Sequence, residues 1–376
     1  MPSPSIKSPT DLQTDDFLRL FLDDVPLMDV RAPVEFNQGA FPGARNLPLI
    51  NDEEREQIGI RYKDMGQDKA VELGYELVKD DIKQQRVNAW SEFVKNHPDG
   101  VLYCFRGGMR SKITQQWIYQ YTGVMYPRVT GGYKAMRRFL LDQLDESVED
   151  IQPVILGGRT GTGKTLLLNR LDRCIDLEGL YNHRGSVFGK HVTPQPAQID
   201  IENELSIQLL KHRRQQHHHL LMEDEAAAIG SRRIPIVLFD KMKQSPLVML
   251  EVDLEQRVDI IYDEYISAAL DEHHQHHDAQ QAFDIWAQQL MTSLDKVQKR
   301  LGGVRHKQLR RIMEDAIEQH RKHDDPQQHR NWIRSMLDDY YDPMYDYQIG
   351  GKQERVVFRG DAEQVLEFLR DRYHIE

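Results

Sequence analysis

Residues Gly158-Arg159-Thr160-Gly161-Thr162-Gly163-Lys164-Thr165 match the pattern G-x-x-x-x-G-K-[ST] at every fixed position. The apolar run Pro153-Val154-Ile155-Leu156 just before them is typical of a buried strand, and a helix is predicted from Lys164 onward. In such a strand–loop–helix unit, the backbone N–H groups of the loop point at a di- or triphosphate. The stretch therefore predicts a phosphate-binding domain of the α/β class, built on a parallel sheet.

Each residue of this phosphate loop has an expected role. Lys164 is predicted to be catalytic and to reach the terminal phosphates, while the Thr165 hydroxyl holds Mg²⁺ together with Glu223 or Asp224. The predicted phosphate-binding residues are Gly158, Thr160, Gly161, Thr162, Gly163, Lys164 and Thr165. The sequence has no Asn-Lys-x-Asp motif for guanine, which disfavours a GTPase. An ATPase, a kinase and an enzyme that uses another diphosphate stay open, and no tightly bound cofactor is expected.

A second chemical motif lies earlier in the chain, in the stretch Tyr103-Cys104-Phe105-Arg106-Gly107-Gly108-Met109-Arg110-Ser111. The cysteine follows a predicted strand and precedes a predicted helix, for which Ser111 is the expected N-cap. Loop N–H groups and the helix N-terminus favour an anion at the sulfur. The predicted anion-binding loop consists of Arg106, Gly107, Gly108 and Arg110. Cys104 is therefore predicted to be a catalytic thiolate, and the alternative is a buried structural cysteine.

Bulk composition narrows the class of protein. The 376 residues are enough for two domains, and the net charge of −11 means that any RNA contact must use a local basic patch. Cys104 and Cys174 are the only cysteines, which argues against a disulfide framework and for the reducing cytoplasm. Cys174 is predicted to be a core residue on the helix after the phosphate loop. Neither a membrane-spanning run nor a signal peptide is recognisable.

Alternating strand and helix patterns suggest the domain limits. Residues 1–14 are predicted to be a disordered lead, 15–145 a first α/β domain, 146–255 the phosphate-loop domain, and 256–376 a mostly helical region that completes it. The first boundary is placed in the acidic stretch 142–150, which shows no strong periodicity. Further strands are predicted at 218–224, 235–239 and 247–250, with a last strand at 355–358 before a final helix.

Two clusters of titratable residues lie outside these motifs. Residues 296–311 contain no acid and supply the predicted tRNA-binding residues Lys296, Lys299, Arg300, Arg305, Lys307, Arg310 and Arg311. The alternative is a charged helix face packed against acidic neighbours. His273, His274, His276 and His277 lie among acids and glutamines, so a solvated face is favoured over a metal site.

The upstream segments 29–36 and 39–49 resemble the signature of rhodanese domains, with Cys104 at the position of the sulfur-carrying cysteine. A rhodanese-like domain, then a phosphate-loop NTPase-like domain, then a helical region resembles the order in the tRNA 2-selenouridine synthase family. The stretches 183–189, 194–198, 223–225 with 229–230, and 340–347 support this resemblance. Ala226 departs from it, since serine is expected after the acids, and puts one hydroxyl in doubt.

The resemblance implies a transferase that converts 2-thiouridine at the wobble position of tRNA into 2-selenouridine. It implies S-geranylation by geranyl diphosphate, followed by replacement of the geranylthio group with selenium from selenophosphate. The phosphate loop would then hold the diphosphate leaving group, and Cys104 an anionic chalcogen. The implied partners are a thiolated tRNA and, as a candidate, the enzyme that supplies selenophosphate.

Two other functional classes stay open. One is an ATP-dependent tRNA sulfurtransferase, in which a Cys104 persulfide donates sulfur and ATP activates the base. The other is a non-catalytic module that senses nucleotides or redox state. Turnover of thiolated tRNA with geranyl diphosphate and without ATP separates the first two classes, and the third class predicts no turnover.

Overall fold

The computed structural model describes residues 11–215 and 217–376, and the chain forms two compact units. The N-terminal unit comprises the chain up to Ser147 together with Ala197–Lys211. The C-terminal unit comprises Val148–Pro196 and His212–Glu376. Residues 1–10 of the predicted disordered lead lie outside the described residues.

The helices and strands alternate along much of the chain. The helices are α1 Phe17–Leu22, α2 Pro33–Gln38, α3 Asp52–Leu77, α4 Asp80–Asn96, α5 Met109–Thr122, α6 Gly132–Asp150, α7 Lys164–Leu168, α8 Leu177–Leu180, α9 Gln198–Arg214, α10 Ile236–Met242, α11 Leu254–Tyr262, α12 Ala269–His274, α13 Ala279–Lys296, α14 Gln298–Leu301, α15 Gly303–His323, α16 His329–Met336, α17 Asp342–Gly350 and α18 Ala362–Tyr373. The strands are β1 Gln13–Thr14, β2 Leu27–Asp29, β3 Arg45–Asn46, β4 Val101–Tyr103, β5 Arg128–Val129, β6 Gln152–Gly158, β7 Cys174–Ile175, β8 His219–Glu223, β9 Ala228–Ile229, β10 Arg232–Arg233, β11 Leu247–Leu250 and β12 Val356–Gly360. Short π-helical segments, Asp263–Ala268 and Leu337–Tyr341, continue α11 and α16.

The sheet of the N-terminal unit is parallel, in the order β1-β5-β4-β2-β3. Its strands are short and fully buried at the centre, as expected for a parallel sheet covered on both faces. Asp29 at the end of β2 pairs in register with Tyr103 at the end of β4. The residues that follow these two strands therefore emerge at the same edge, and Cys104 is one of them.

Two features of the N-terminal unit differ from the sequence predictions. Gln13–Thr14 pairs with β5, so the described end of the predicted disordered lead is ordered. The acidic stretch 142–150 contains the division between the units, at Ser147 and Val148, but it is not aperiodic: it is the end of α6, because Leu140, Leu144 and Val148 recur at helical spacing and are buried. Much of α9 also belongs to this unit, since Ile207 and Leu210 join the cluster of Leu20 and Phe21.

The sheet of the C-terminal unit is also parallel, in the order β12-β11-β6-β8-β7. β6 lies at its centre and delivers the phosphate loop, with β8 and β11 as its neighbours. The predicted strands 218–224 and 247–250 are confirmed as β8 and β11, and the last strand and helix as β12 and α18. The helical region after α11 has its own core, which includes Trp286 and Trp332.

Two predicted elements of the C-terminal unit are wrong. Residues 235–239 form no strand but the start of α10, because Leu238 and Met242, one helical turn apart, are buried while Ile236 is exposed. Cys174 does not lie on the helix after the phosphate loop, which ends at Leu168; it lies in the edge strand β7 and is half-buried. Burial raises the pKa of its thiol to about 11.

The predicted α/β class is confirmed for both units, each of which has a central parallel sheet. Among the described residues, no helix is long and apolar enough to cross a membrane. In both units the motif singled out in the sequence follows a central strand, β4 or β6. Open α/β sheets bind ligands beyond the carboxyl ends of such strands.

Candidate functional site

The phosphate loop has the strand–loop–helix form expected from its sequence. β6 ends at Gly158 and α7 begins at Lys164. Gly161 and Gly163 both adopt positive φ, +80° and +72°, which a side chain would strain. The amine of Lys164 bends back toward the loop, with Nζ 3.5 Å from the carbonyl oxygen of Gly158. The Lys164 amine therefore lies against the loop, and its contact with a phosphate stays a prediction.

The Asp342 carboxylate, on α17, anchors the phosphate loop through two arginines. Arg257 of α11 donates to both oxygens of Asp342, at 2.9 and 2.6 Å, and also to the carbonyl oxygen of Thr160 at 2.9 Å. Arg159 of the loop donates to Asp342 at 3.2 Å and to Asp346 at 2.6 Å. These contacts give a structural role to the stretch 340–347, which the sequence supplied only as a resemblance. We name this group of ion pairs the loop brace.

Thr165 and Glu223 lie together, as predicted for a magnesium site. The Thr165 hydroxyl donates to Oε1 of Glu223 at 2.8 Å, and Oε2 of Glu223 accepts from the backbone N–H of Glu178 at 3.1 Å. Asp224, the other predicted acid, instead accepts two hydrogen bonds from Lys352, both at 2.7 Å. Of the two predicted acids, the structure therefore brings Glu223 to Thr165 and pairs Asp224 with a lysine.

A cluster of four glutamates lies around Lys164, and three of them, Glu178, Glu225 and Glu264, were not predicted from the sequence. Its members Glu178, Glu223, Glu225 and Glu264 all feel the charge of Lys164, which favours their ionised forms. Burial nevertheless raises the pKa of each, and the pKa of Glu223 reaches about 7 through burial and then repulsion by Glu178. The signals in the sequence were Glu223-Asp224-Glu225 and the stretch 183–189, since Gly185 packs against Glu178 and Glu225.

The Thr165 hydroxyl and the Glu223 carboxylate are hard oxygen donors of the kind Mg²⁺ prefers. Mg²⁺ commonly takes one or two protein oxygens and completes its shell with water and substrate phosphate, so this pair fits the ion. When bound, the ion would neutralise charge on a diphosphate. Among residues 11–215 and 217–376, no group of three or more His, Cys, Asp or Glu has the arrangement of a protein-only metal site.

The cysteine loop of the N-terminal unit is held by its backbone. The N–H of Tyr133 donates to the carbonyl oxygen of Cys104 at 2.9 Å, and the N–H of Lys134 to that of Phe105 at 3.0 Å. Gly107 has a φ of +65°, and a side chain there would come within 2.7 Å of the backbone at Val129 and Gly131. Glycine is therefore required at 107.

The Cys104 thiol is buried, with 3% of its surface exposed, and donates to the Ser111 hydroxyl at 3.3 Å. Ser111 is not the predicted N-cap, because α5 already begins at Met109 and its N-cap is Gly108. Ser111 lies inside the first turn, where its hydroxyl donates to the carbonyl oxygen of Gly108 at 3.0 Å. The contact places the sulfur at the N-terminal end of α5.

The two arginines of the cysteine loop differ in their partners. Arg110 donates two hydrogen bonds to Glu35 of α2, and Arg55 lies 3.4 Å from the same carboxylate. Burial would lower the pKa of the Arg110 guanidinium, but Glu35 outweighs it and the pKa is raised. Arg106 is exposed, and its guanidinium lies 6.0 Å from the centre of the Phe105 ring. The Arg106 side chain therefore lies on the solvent-facing side of the loop.

The predicted tRNA-binding run 296–311 spans the end of α13, α14 and the start of α15. Lys296, Lys299, Arg300, Arg305, Lys307 and Arg311 are exposed, as a nucleic-acid surface requires. Arg310 is half-buried and pairs with Asp295 at 2.7 Å and Glu314 at 3.0 Å. The charged-face alternative therefore applies to Arg310, and binding by the rest of the run stays a prediction.

The histidine cluster does not form a single solvated face. His274 and His276 are exposed, but His273 is buried with 3% of its surface exposed. The prediction is therefore wrong for His273, whose ring centre lies 6.3 Å from that of the half-buried His277. Burial lowers the pKa of His273.

Comparison with known proteins gives the family of this α/β phosphate-loop protein. The family model described as "tRNA 2-selenouridine synthase AAA domain" matches residues 151–376. A tRNA 2-selenouridine synthase of Marinobacter nauticus is 50% identical over 359 residues, 96% of this chain and 98% of its own. One of Bordetella petrii is 49% identical over 358 residues, 95% of this chain and 96% of its own. The chain belongs to the tRNA 2-selenouridine synthase family.

A solved structure, the N-terminal domain of a protein from Clostridium difficile 630 described as ATP/GTP binding, is 31% identical over 34% of this chain and 98% of its own. Its TM-score is 0.30, which is too low to support a structural argument.

Proposed function

We propose that this protein is a tRNA-modifying transferase that replaces the sulfur of wobble 2-thiouridine with selenium, in two steps. The proposal rests on the observation that a chain of this family contains two loops suited to these steps, one that can bind a phosphate and one that surrounds a cysteine. The first step is S-geranylation by geranyl diphosphate, and the second is exchange of the geranylthio group for selenium from selenophosphate.

In the first step, the phosphate loop binds the diphosphate leaving group. The thiocarbonyl sulfur of the base attacks the first carbon of the geranyl chain, the carbon–oxygen bond breaks, and diphosphate departs while the base loses its N3 proton. Negative charge grows on the diphosphate as this bond breaks. Lys164, supported by the N–H groups of the loop, lies where that charge would develop, and preorganised charge of this kind lowers the barrier. Hydrolysis of ATP has no part in this step.

In the second step, the cysteine loop binds the selenium donor. Alkylation turns a poor leaving group into a thiolate that can depart, so selenium can add at C2 of the base and geranylthiol is released. Hydrolysis of the remaining selenium–phosphorus bond then frees phosphate. The end of α5 and the exposed charge of Arg106 favour an anionic selenium donor at Cys104.

The test follows each step separately with a thiolated anticodon stem-loop RNA. Cys104→Ser is expected to abolish selenation while geranylation continues, so that geranylated RNA accumulates. Lys164→Ala is expected to slow geranylation by about 3 kcal/mol of transition-state stabilisation, while pre-geranylated RNA bypasses the defect. Mass spectrometry of the nucleosides measures both products.

Three outcomes would contradict the proposal. Normal selenation by Cys104→Ser would remove the cysteine from the second step, and normal geranylation by Lys164→Ala would remove the phosphate loop from the first. A requirement for ATP with the wild-type protein would favour a sulfurtransferase that uses a Cys104 persulfide. Absence of all turnover would leave the sensing module.

A further inference from the structure

A large cavity lies inside the N-terminal unit and has no role in the function proposed so far. Its volume is about 880 Å³. Pockets for small organic ligands measure roughly 300–1,000 Å³, so this cavity has the size of a binding site. Its walls come from α3 and from the first turns of α5, the helix that follows Cys104.

The cavity exists because α3 folds back on itself at Gly66. This residue has a φ of +84° and a ψ of −178°, values that interrupt the helix. Beyond it, Gly74 approaches Ile58 closely enough that a Cβ at 74 would lie 3.6 Å from the Ile58 Cδ1 atom. In a straight helix these two residues would be about 24 Å apart, at 1.5 Å per residue. The two halves of α3 therefore form a hairpin, and the cavity opens along it.

The lining is mostly apolar although much of it faces solvent. Ile60, Tyr62, Tyr75 and Met109 line the cavity with between 46% and 57% of their surfaces exposed. Exposed apolar side chains gathered in one concave place are typical of a ligand groove rather than of an ordinary surface. The remaining lining includes the buried Ala70 and Trp117, so the floor is apolar as well.

Charged groups line the cavity at Glu56 and Lys63 of α3 and, in a group of ion pairs, at the end next to the cysteine loop. Met109 and Arg110, the first residues of α5, line the cavity, and Ser111 contacts the Cys104 sulfur. Glu35 and Arg55 complete this end, and Glu35 forms ion pairs with both Arg55 and Arg110. A ligand in the cavity would therefore have its hydrocarbon part along the α3 hairpin and its polar part beside the cysteine loop.

We infer that this cavity binds the geranyl chain of the geranylthio base during the second step, which rests on the function proposed above. A branched, unsaturated hydrocarbon chain matches the apolar, aromatic lining. Seating the chain here brings the attached base to the end of the cavity at the cysteine loop. The cavity then selects the alkylated base over the unmodified one, because only the alkylated base carries a chain to bury.

Gly59 offers a substitution that fills the cavity without disturbing its walls. It lies in the helical first half of α3 and lines the cavity, and a Cβ built at Gly59 has no atom within 4 Å. Gly59→Phe therefore places a ring in the cavity. Gly59→Ala is the matched control, because it makes the same glycine-to-side-chain change in the helix and leaves the cavity open.

The experiment measures selenation of pre-geranylated stem-loop RNA by the full-length protein. Gly59→Phe is expected to raise KM about tenfold or more, the effect of losing a well-filled apolar contact, while Gly59→Ala stays near wild type. Selenation of a methylthio analogue should respond little to either substitution, because its alkyl group does not reach the cavity. Circular dichroism and thermal unfolding establish that both variants are folded.

Two results would overturn the inference: equal selenation of geranylated RNA by Gly59→Phe and Gly59→Ala, or a loss confined to geranylation by geranyl diphosphate. Binding of the nucleoside S-geranyl-2-thiouridine, measured by calorimetry, needs no turnover and should also weaken about tenfold in Gly59→Phe. This arm separates the two proposals. If the wild-type protein binds the nucleoside in the cavity but makes no selenouridine, the proposed function fails and the cavity assignment stands.

Discussion

Removing the charge of Asp342 tests whether the loop brace keeps the phosphate loop in its binding form. Asp342→Asn keeps the size of the side chain but removes the charge that faces Arg257 and Arg159. The Arg257 side chain is only 2% exposed, so its guanidinium would be left buried without a carboxylate. Asp346→Asn is the matched control, since Asp346 pairs with the same loop arginine but is 59% exposed.

The two substitutions leave arginine charges that differ in burial: Asp342→Asn leaves the buried Arg257, and Asp346→Asn leaves the more exposed Arg159. Removing one partner of a buried ion pair costs about 3–5 kcal/mol, and an asparagine that still accepts one hydrogen bond should bring the cost near ~3 kcal/mol. An exposed pair is worth about 0–1 kcal/mol, which sets the expectation for Asp346→Asn. The difference between the variants should therefore be about 2 kcal/mol or more in the free energy of unfolding of the C-terminal unit.

Hydrogen exchange of peptides from α11 and α17, followed through a urea titration, measures this unit separately from the other one. Bound pyrophosphate is expected to slow hydrogen exchange in the protein, and Asp342→Asn should reduce this effect, because Arg257 donates to the carbonyl oxygen of Thr160 in the loop. The double variant Arg257→Gln, Asp342→Asn should recover part of the stability, since no buried charge is then unpaired. Equal effects of Asp342→Asn and Asp346→Asn, within about 0.5 kcal/mol, would refute the reasoning.

Two further predictions concern RNA and pH. Replacing Arg305, Lys307 and Arg311 with Gln should weaken the binding of all tRNAs alike and lower the slope of log affinity against log salt concentration by about 0.7–0.9 per lost contact. Arg310→Gln should change this slope less, because Arg310 is ion-paired. Filter binding at several salt concentrations measures the slope, and unchanged affinity would show that the run is a solvated helix face. His329 is fully buried, and burial, then the charge of His320, lowers its pKa from 6.5 to about 3. Since the unfolded chain binds the proton more readily, stability should fall as pH drops below 6.5, by about 2 kcal/mol at pH 5. His329→Gln should flatten this dependence of thermal unfolding on pH, exposed His274→Gln should not, and an unchanged slope in His329→Gln would contradict the assignment.

The local parts of both loops could be predicted from sequence because their geometry is written in adjacent residues. A strand, a glycine-rich loop and a helix follow one another at β6 and again at β4, so Gly107, Gly163 and Lys164 could be placed without knowledge of tertiary contacts. The contact of Thr165 with Glu223 was also predictable, because parallel strands end at one edge of a sheet.

Elements whose structure depends on which face is buried could not be predicted from the sequence. The run 235–239 contains consecutive apolar residues that fit a strand, yet only Leu238 and the later Met242 face the core, and the segment is helical. The loop brace was also unpredictable, because Asp342 and Arg257 are far apart in sequence and meet only after α11 and α17 have packed. The α3 hairpin depends on one glycine, Gly66, within an otherwise helical pattern.

The charge beside the Cys104 sulfur is smaller than the sequence suggested, and this bears on what the loop can bind. Arg110 was expected to supply a fixed positive charge, but Glu35 takes two of its hydrogen bonds and is shared with Arg55. The three groups together carry one net positive charge, which leaves the end of α5 and the exposed Arg106 as the other sources of attraction. Exposed charges attract anions reversibly and are weakened by salt. In the function proposed above, the loop would therefore exchange an anionic selenium donor during turnover rather than retain it tightly.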